Sequence, residues 1–431
     1  MKATHVLLGL AGASQACMPG PAPASQHGDL VRKSEIPPPP TTTRISNVKV
    51  FDGNCFVGPR DVLMHEGYII KEPSRCGGSS STTNTTSPET TVIDGTGQYM
   101  IPGLIDSHAH VNSIGGLESF TSYGVSTVFN MDCENYTLCS ALKGPHRGLA
   151  TFLTAGLSAV GPGSPHAVSM HRAPSGLYNE TTQDPAAWVS AVFGNGSDYV
   201  KIVAETRGPG QDAQNELVAA THRLGRKTMT HASFLAPVAQ AIASRTDGIQ
   251  HLPSDGLLSA DQLATIRKQN QTITATIEIN RLASTNPGIL AFLGVVGPNA
   301  TERGAAAYKV VKQNAKLVIA AGVTVLAGTD AIGDLFPGVS FPFGSTLHAE
   351  LANLVEAGMT PAQALRAATE EPARWYGLAD RGRVAPRMRA DLVLLGSDPL
   401  ADISNTLDIR RVWVGGVEFP HVATKSVGKT T

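Results

Sequence analysis

The sequence is short of charge, of closely spaced cysteines and of long apolar runs, and each shortage excludes a class of protein. Only 16% of the 431 residues are charged, and 34 basic residues nearly balance 35 acidic ones. Neither nucleic acid nor an anionic membrane surface is therefore favoured as a partner. The chain has no apolar run that predicts a membrane span. Its five cysteines include no Cys-x-x-Cys pair, which argues against the usual zinc and redox motifs.

The N-terminal region predicts export. It combines the basic Lys2, a short apolar segment and small residues up to Ala16, after which a signal peptidase could cut. We predict a signal peptide over residues 1–16, with a frayed cytoplasmic terminus as the alternative. The proline-rich stretch 17–43 predicts an extended linker without a core of its own.

Glycosylation motifs and cysteines also favour secretion over a cytoplasmic location. Asn-x-Ser/Thr motifs occur at Asn84, Asn135, Asn179, Asn195, Asn270 and Asn299. In an oxidising compartment, and with Cys17 lost or separate, the remaining cysteines form an even set. That set is compatible with bridges from Cys55 to Cys76 and from Cys133 to Cys139, although the sequence does not determine the pairing.

Short apolar runs alternate with helical stretches from Met100 onward. The strand that carries GLIDSHAHV is followed by seven further runs: GVSTVFNMD, LATFLTAGL, DYVKIVAE, RKTMTHAS, GIQHLPS, QTITATIEI and GVTVLAGTD. Alternation of this kind is typical of parallel βα units. Eight such units predict an α/β fold of the TIM (β/α)8 barrel type, which we place at residues 102–376.

Strand patterning also flanks the predicted barrel. RISNVKVFDG and DVLMHEGYII precede it, and RADLVLLGSD and IRRVWVGGVEF follow it. Alternation of apolar and polar residues is typical of half-buried strands. We therefore predict a small composite β-sandwich domain that is built from residues 44–101 and 377–420, with a C-terminal tail over 421–431.

A pair of histidines closes the first predicted barrel strand. In an extended strand, residues i and i+2 point to the same side, so His108 and His110 can present two imidazoles to one point. Imidazole suits zinc and neighbouring divalent metals, which makes the pair a candidate metal site. Two hydrogen-bonded histidines at a strand end are the alternative.

Further polar residues interrupt other predicted strands where a barrel carries its catalytic groups, at the C-terminal strand ends. Lys201 lies within DYVKIVAE, His231 ends RKTMTH, His251 ends GIQH and Asp330 ends VTVLAGTD. Each has a structural alternative: a lysine that reaches solvent or a carboxylate, hydrogen-bonded core histidines, and an aspartate that caps a helix. Their coincidence with the histidine pair favours one shared metal site.

These motifs make the chain resemble the amidohydrolase superfamily, and within it the imidazolonepropionase-like and prolidase-like branch, which includes ochratoxin-cleaving enzymes. The resemblance extends from about Arg44 to Phe419. It rests on VIDGTGQYMIPGLIDSHAH, DYVKIVAE, THAS, GIQHLPSD, VLAGTDA, ELANLVEAGMTPAQALRAAT and RADLVLLGSDPLADI.

The resemblance implies a binuclear metal centre, with zinc expected as the ion. Its ligands would be His108, His110, Lys201, His231, His251 and Asp330. The first two histidines and the aspartate would hold one divalent ion, the last two histidines would hold the second, and carbamylated Lys201 would bridge them. A metal-bridging hydroxide would then hydrolyse the amide bond of a small peptide-like or N-acyl amino acid molecule, with Asp330 as the catalytic base. Relatives are often homo-oligomers.

The chain departs from the family pattern around the predicted pocket. Lys201 is followed by IVAETRGPG rather than a Gly-Gly pair, and His231-Ala232-Ser233 stands where relatives have His-Ala-His. GPGSPHAVS replaces the usual Gly-Gly-His, which implies His166 as a substrate contact; a surface-loop histidine is the alternative. These departures admit a metal-dependent lyase or isomerase that decarboxylates or cyclises a secondary metabolite. A metal-holding binding protein without catalysis is a third hypothesis.

Overall fold

A computed structural model describes residues 42–70, 90–336 and 338–423, with the backbone alone at 335–336. The predicted signal peptide, nearly all of the linker, Cys17, Cys76, Asn84 and most of the predicted tail lie outside the described residues. The predictions made for those segments therefore stay predictions.

The strands follow the order expected from the sequence. The first group is β1 (Thr42–Phe51), β2 (Phe56–His65), β3 (Tyr68–Ile70), β4 (Thr90–Asp94) and β5 (Tyr99–Pro102). The predicted barrel strands are β6 (Leu104–Ala109), β7 (Val125–Asn130), β8 (Thr151–Thr154), β9 (Val200–Val203), β10 (Thr228–His231), β11 (Gly248–Gln250), β12 (Thr272–Thr274) and β13 (Val325–Leu326). A hairpin and three C-terminal strands follow: β14 (Gly333–Phe336), β15 (Val339–Phe341), β16 (Leu392–Leu395), β17 (Ile409–Val414) and β18 (Val417–Glu418).

Helices occupy most of the connections after β6. They are α1 (Ile114–Ser122), α2 (Tyr136–Leu142), α3 (Pro165–Ser169), α4 (Pro185–Gly194), α5 (Gln211–Arg223), α6 (Leu235–Ser244), α7 (Ala260–Lys268), α8 (Ile277–Thr285), α9 (Pro287–Phe292), α10 (Ala300–Ala320), α11 (Ser345–Glu356), α12 (Pro361–Ala367) and α13 (Glu370–Trp375). Short 3₁₀ turns lie at Pro174–Gly176 and Ile403–Leu407. In the part of the chain that the structure describes, no helix has both the length and the apolar character that a membrane crossing requires.

Strands from both ends of the chain share one sheet. Its order is β18-β17-β16-β5-β1-β2-β3, and β4 also pairs with β1. β16 runs antiparallel to β5, so the C-terminal segment pairs directly with the strand that leads into β6. Ile45 and Val48 on β1 pack with Leu394 and Trp413 in one apolar cluster. The alternation in RISNVKVFDG correctly predicted a strand because one face of β1 is buried in this cluster.

The eight runs that we predicted as barrel strands all form strands, β6–β13. They pair in parallel as a three-stranded sheet, β6-β7-β8, and a five-stranded sheet that runs from β9 to β13. Isolated parallel bridges join Ala159 to Ile202 and Ala109 to Ala331, next to the outer strands of these two sheets. Parallel strands that alternate with helices give a TIM-barrel-like α/β architecture.

The segments after β12 and β13 differ from the prediction. QTITATIEI reads as one strand, but β12 ends at Thr274 and α8 begins at Ile277. Ile279, on the buried side of α8, packs with Leu290 of α9 and Phe341 of β15 in a separate apolar cluster. A short apolar run does not by itself distinguish a buried strand from a helix that is buried on one side. The hairpin β14–β15 was not predicted either.

The described cysteines and glycosylation motifs bear on the secretion hypothesis without deciding it. Cys133 and Cys139 form a disulfide bond, which confirms this predicted pairing. Cys55 is exposed and forms no bridge within the described residues, so its pairing with Cys76 stays a prediction. Among the described motif asparagines, Asn179 is half-buried and the others are exposed: Asn135, Asn195, Asn270 and Asn299. Glycosylation and secretion also stay predictions.

A buried histidine on α11 makes the stability of the fold depend on pH. His348 places Nε2 2.9 Å from the carbonyl oxygen of Tyr123 and Nδ1 2.8 Å from the hydroxyl of Thr406. The neutral ring donates Nε2–H to the carbonyl of Tyr123, and the Thr406 hydroxyl, which also lies 2.8 Å from the carbonyl oxygen of Ile403, has one proton for either that oxygen or Nδ1. Burial lowers the pKa of His348 from 6.5 to about 4.

We expect the His348→Gln variant to lose less stability in acid than the wild-type protein. Between pH 6.5 and about 4 the unfolded chain binds a proton at His348 that the folded protein does not bind. The contribution of His348 is therefore complete above pH 6.5 and declines as the pH falls, by about 2–3 kcal/mol at pH 4.5. Urea unfolding at pH 7 and 4.5 measures the difference, with exposed His421→Gln as the control. Equal acid losses in wild type and His348→Gln would contradict the expectation.

Candidate metal centre

The structure places every sequence-predicted site residue in a strand, at its C-terminal end or in the connection that follows. His108 and His110 belong to the end of β6, Lys201 to β9, His231 to the end of β10, and the remaining three follow β8, β11 and β13. Each is at most 1% exposed: His108, His110, His166, Lys201, His231, His251 and Asp330. Parallel strands bring their carboxyl ends to one side of the sheet, which is why residues distant in sequence meet here.

Asp330 lies between the two histidines of the His-x-His pair. Its Oδ1 atom is 3.2 Å from Nε2 of His108 and 3.2 Å from Nε2 of His110. The two imidazole rings are 5.5 Å apart, measured between their centroids. The one-residue spacing therefore directs both rings to one carboxylate oxygen, as expected for side chains on the same face of a strand.

The other histidines lie next to this group, and their rings form a row in which each ring neighbours the next. Ring centroids are 4.7 Å apart for His108 and His251, 4.5 Å for His251 and His231, and 4.6 Å for His231 and His166. Potential ligand atoms of His108, His251 and Asp330 lie within 4.8 Å of one another. The two sets of metal ligands that the resemblance implies thus lie side by side: one contains His108, His110 and Asp330, and the other contains His231 and His251.

Lys201 lies among these rings, and it is only 1% exposed, which excludes the alternative of an ammonium that reaches solvent. Burial, followed by the charge of Lys201, lowers the pKa of His108 to about 4. Burial also holds the pKa values of His231 and His251 well below 6.5, and the charge of Lys201 contributes to both shifts. The imidazoles are therefore neutral near pH 7 and keep lone pairs that can bind a cation.

The backbone is strained where it presents two of these side chains. His251 has a φ of 76° and Asp330 a φ of 61°, both in the left-handed region. Residues other than glycine adopt this region rarely, at a cost of about 1–3 kcal/mol, and they concentrate at functional sites. His251 directly follows β11, and Asp330 lies four residues after the end of β13.

Hydrogen bonds define the orientation of two rings. Nδ1 of His108 is 2.8 Å from Oε1 of Gln250, and Nδ1 of His251 is 2.8 Å from Oγ1 of Thr276. A proton on Nδ1 that is donated to these oxygens leaves the Nε2 lone pair available. This is the tautomer that a metal ligand of the Nε2 type requires.

Asp106 supports the same strand end, and our sequence reasoning missed it. Its carboxyl group accepts hydrogen bonds from the N–H of His108 at 3.0 Å and from the N–H and hydroxyl of Thr329 at 3.1 and 2.7 Å. Burial raises the pKa of Asp106 to about 7. Asp106 thereby ties the end of β6 to the turn before Asp330. An aspartate two residues before His108, in an apolar strand, was the available signal.

His166 forms a buried pair with Glu205. Glu205 accepts hydrogen bonds from the backbone N–H of His166 at 3.0 Å and from its Nδ1 at 2.7 Å. Since His166 is 1% exposed, the alternative of a surface-loop histidine is wrong. Its Nε2 atom has no hydrogen-bond partner among the described residues. Glu205 was missed, although an acidic residue at the end of the run DYVKIVAE, four positions after Lys201, was a usable signal.

The residues present fit a bound cation. Two ligand atoms bound to one ion by bonds of about 2.1 Å, at an angle of about 100°, would be about 3.2 Å apart. The distances from Asp330 to His108 and His110 are 3.2 Å. Nδ1 of His110 is buried without a hydrogen-bond partner among the described residues, and the fully buried carboxylate of Asp330 needs positive charge nearby. Imidazole and carboxylate ligands suit zinc, manganese, iron and cobalt.

Comparison with known proteins identifies the family. The amidohydrolase family matches residues 99–418, so the chain belongs to this family. It is 31% identical over 238 residues to an imidazolonepropionase from Deinococcus deserti; the match covers 54% of this chain. That match covers 51% of the relative, so the chain spans about half the length of this curated relative.

Solved structures share the fold over most of the chain. A putative prolidase from Bifidobacterium longum superposes with a TM-score of 0.72 and 21% identity, covering 90% of this chain and 97% of its own. Ochratoxinase from A. niger superposes with a TM-score of 0.68 and 17% identity, covering 88% of this chain and 95% of its own. These likenesses support the TIM-barrel-like fold that the strand order indicates.

Proposed function

We propose that the protein is a metal-dependent hydrolase of carbon–nitrogen bonds that cleaves the amide of a small peptide-like or N-acyl amino acid molecule. The observation that carries the proposal is the convergence of buried imidazoles on Asp330, with ligand atoms of His108 and His251 inside the same 4.8 Å group. Membership of the amidohydrolase family supports the reaction class. The prolidase and ochratoxinase likenesses motivate the substrate class.

The six ligand candidates would hold two divalent ions, with zinc as the expected metal. His108, His110 and Asp330 lie around one position, and His231 and His251 lie beside it. Two positive ions next to a buried ammonium would be strongly unfavourable. Carbamylation would convert Lys201 into an anion and remove this repulsion, which is why we assign Lys201 as the bridging ligand.

Bound metal ions would polarise the amide carbonyl and lower the pKa of water at the site. The contribution of this chain is proton transfer and orientation. Asp330, whose carboxylate is ionised and fully buried, would accept the proton of the attacking water and deliver it to the departing amine nitrogen. His166, whose Nδ1 contacts Glu205 and whose ring centroid lies 4.6 Å from that of His231, would hydrogen-bond the substrate through Nε2.

We also infer that β6–β13 close into a complete barrel, beside one domain built from the two ends of the chain. The Ala159–Ile202 and Ala109–Ala331 bridges support closure, because they connect the three-stranded and five-stranded sheets on both sides. The pairing of β16 with β5 supports the composite domain. Closure would place all the site residues at the C-terminal face of one barrel, where TIM-barrel active sites lie.

A substrate panel tests the proposed function. Purified protein that has been loaded with Zn²⁺ or Mn²⁺ is incubated with dipeptides, Xaa-Pro dipeptides, N-acyl amino acids and arylamides, and released amine is quantified. We expect hydrolysis within the N-acyl amino acid or dipeptide classes, with one solvent oxygen incorporated into the carboxylate product. Loss of activity with a chelator and recovery with added metal would assign the chemistry to the centre.

The alternative is a lyase or isomerase that uses the same metal ions, and one feature of the site supports it. Ser233 stands near His231, with its hydroxyl 3.1 Å from Nε2, where relatives carry a second histidine. A serine in place of a histidine beside the metal ligands would change which substrate groups the site can bind and orient. Metal-dependent turnover of a carboxylated or cyclic metabolite without solvent oxygen in the product, combined with no amide hydrolysis, would establish this alternative and exclude the hydrolase.

A further inference from the structure

The start of α8 departs from ordinary helix capping at a point beside the metal centre. Thr276 occupies the N-cap position with φ 47° and ψ 47°, and its side chain caps no backbone N–H. An N-cap threonine normally has an extended backbone and accepts a hydrogen bond from the first turn. Here its hydroxyl lies 2.8 Å from Nδ1 of His251 instead. The Thr276 hydroxyl therefore contacts His251 instead of capping its own helix, α8.

Glu350 supplies the cap that Thr276 does not. Its Oε1 accepts a hydrogen bond from the N–H of Ile277 at 3.0 Å, and its Oε2 accepts one from the N–H of Glu278 at 2.8 Å. Glu350 belongs to α11 and is fully buried. A carboxyl group at this position satisfies two N–H groups that a helix leaves without internal partners.

A second contact fixes α8 against α11. The side chain of Glu278 accepts a hydrogen bond from Nδ2 of Asn353 at 2.8 Å and pairs with Arg281 at 2.6 Å. Asn353 lies one turn after Glu350 on α11, so two side chains of α11 form hydrogen bonds with the first turn of α8. The position of Thr276 relative to β11 and His251 is thus set by α11, far along the sequence.

The left-handed backbone of Thr276 needs an explanation that capping does not provide. β-Branched residues are disfavoured in this region, at a cost of about 1–3 kcal/mol. Such strain persists where the surrounding structure imposes the conformation, and it concentrates at functional sites. When the Thr276 hydroxyl accepts a hydrogen bond from Nδ1–H of His251, Nε2 is left unprotonated and the plane of the ring is fixed.

We propose that Thr276 and Glu350 are positioning residues of the metal centre. Glu350 holds the first turn of α8, and this turn holds the Thr276 hydroxyl against Nδ1 of His251. The ring is then presented with its Nε2 lone pair available. The inference rests on the proposed function in one respect, namely that His251 is a metal ligand.

Zinc affinity of the Thr276→Val and Thr276→Ser variants tests the proposal. Valine keeps the shape and the β-branching but removes the hydroxyl, whereas serine keeps the hydroxyl. We expect Thr276→Val to weaken Zn²⁺ binding about 10–100-fold, as loss of a hydrogen bond to a ligand histidine typically does. Thr276→Ser should stay within about threefold of wild type. Competition with a chromophoric chelator measures affinity, and the visible absorption spectrum of bound Co²⁺ reports the changed geometry.

A double-mutant cycle separates positioning from a merely structural role. Because Glu350 acts through Thr276, Glu350→Gln should weaken Zn²⁺ binding in wild type but add little to Thr276→Val. If these residues only stabilised the fold, the variants would lower the unfolding free energy of the metal-free protein and leave Zn²⁺ affinity unchanged. That outcome overturns the proposal. Should Thr276→Val not fold, Glu350→Gln alone decides it by the same criterion.

The outcomes also distinguish this inference from the proposed function. Unchanged Zn²⁺ affinity and an unchanged Co²⁺ spectrum in both single variants would overturn the positioning role, whatever the protein hydrolyses. Expected metal effects without turnover of any amide would support the positioning role and overturn the hydrolase. A wild-type protein that binds neither Zn²⁺ nor Co²⁺ would overturn both.

Discussion

Asp330→Asn is expected to reduce amide hydrolysis by a factor of about 10³ or more, while the protein remains folded. The substitution keeps the size of the side chain but removes its charge and its ability to accept a proton. General base catalysis alone contributes about 10²–10⁴ to a rate. Asp330 also provides the oxygen that lies 3.2 Å from both His108 and His110, so the variant should bind metal less tightly as well. The rate of amine release at saturating metal measures the first effect.

Two comparisons make the Asp330 result interpretable. Exposed Asp261 on α7 supplies the control, because Asp261→Asn removes the same charge from a side chain at the protein surface and should leave the rate unchanged. Metal content of Asp330→Asn separates loss of the base from loss of the ions. A variant that keeps its metal and hydrolyses amides within about tenfold of wild type would remove Asp330 from the mechanism.

Lys201→Met is expected to lower the metal content from about two ions per chain to about one or none. Methionine preserves an unbranched side chain of similar length but accepts no carbon dioxide. If carbamylated Lys201 bridges the two ions, its loss removes the side chain that both would share, so the more weakly held ion should dissociate first. Elemental analysis after gel filtration measures the ratio of metal to protein, and hydrolysis should decrease in parallel.

Carbamylation of Lys201 can also be detected directly. Wild type equilibrated with isotopically labelled carbon dioxide should show a carbamate carbon signal by NMR that Lys201→Met lacks. Half-exposed Lys312 on α10 offers the matched control, since Lys312→Met should keep the metal content and the signal. Two ions per chain in Lys201→Met, or no carbamate signal in wild type, would contradict the bridging assignment and favour a different ligand arrangement.

Prediction from the sequence worked best where chemistry and periodicity coincide. The His108–His110 pair, separated by one residue, needed only the two-residue period of a strand to place both rings on one side. The eight apolar runs identified the parallel strands because strands that are buried on both faces read as continuous apolar segments. Asp330 and His251 were singled out because polar residues at the ends of several predicted strands coincide with the histidine pair, although each also has a structural alternative.

What the sequence did not show are the partners of those side chains. Glu205, Asp106, Thr276 and Glu350 each contact a residue that is distant along the chain, and that contact is not visible in the local sequence pattern. Thr276 lay inside a run read as a strand, and Glu350 begins the segment ELANLVEAGMTPAQALRAAT, in which no residue was assigned a chemical role. A hydrogen bond between distant elements depends on how helices pack against strands, which local pattern does not encode.

The sequence by itself determined the eight parallel strands, their order and which residue types lie at the strand ends, because periodicity and covalent spacing act locally. The tertiary structure alone decided the distances among the rings, the burial of Lys201 and His166, and the hydrogen-bond partners of Nδ1 in His108 and His251. Those properties arise from desolvation and from hydrogen bonds between chain segments that meet only on folding.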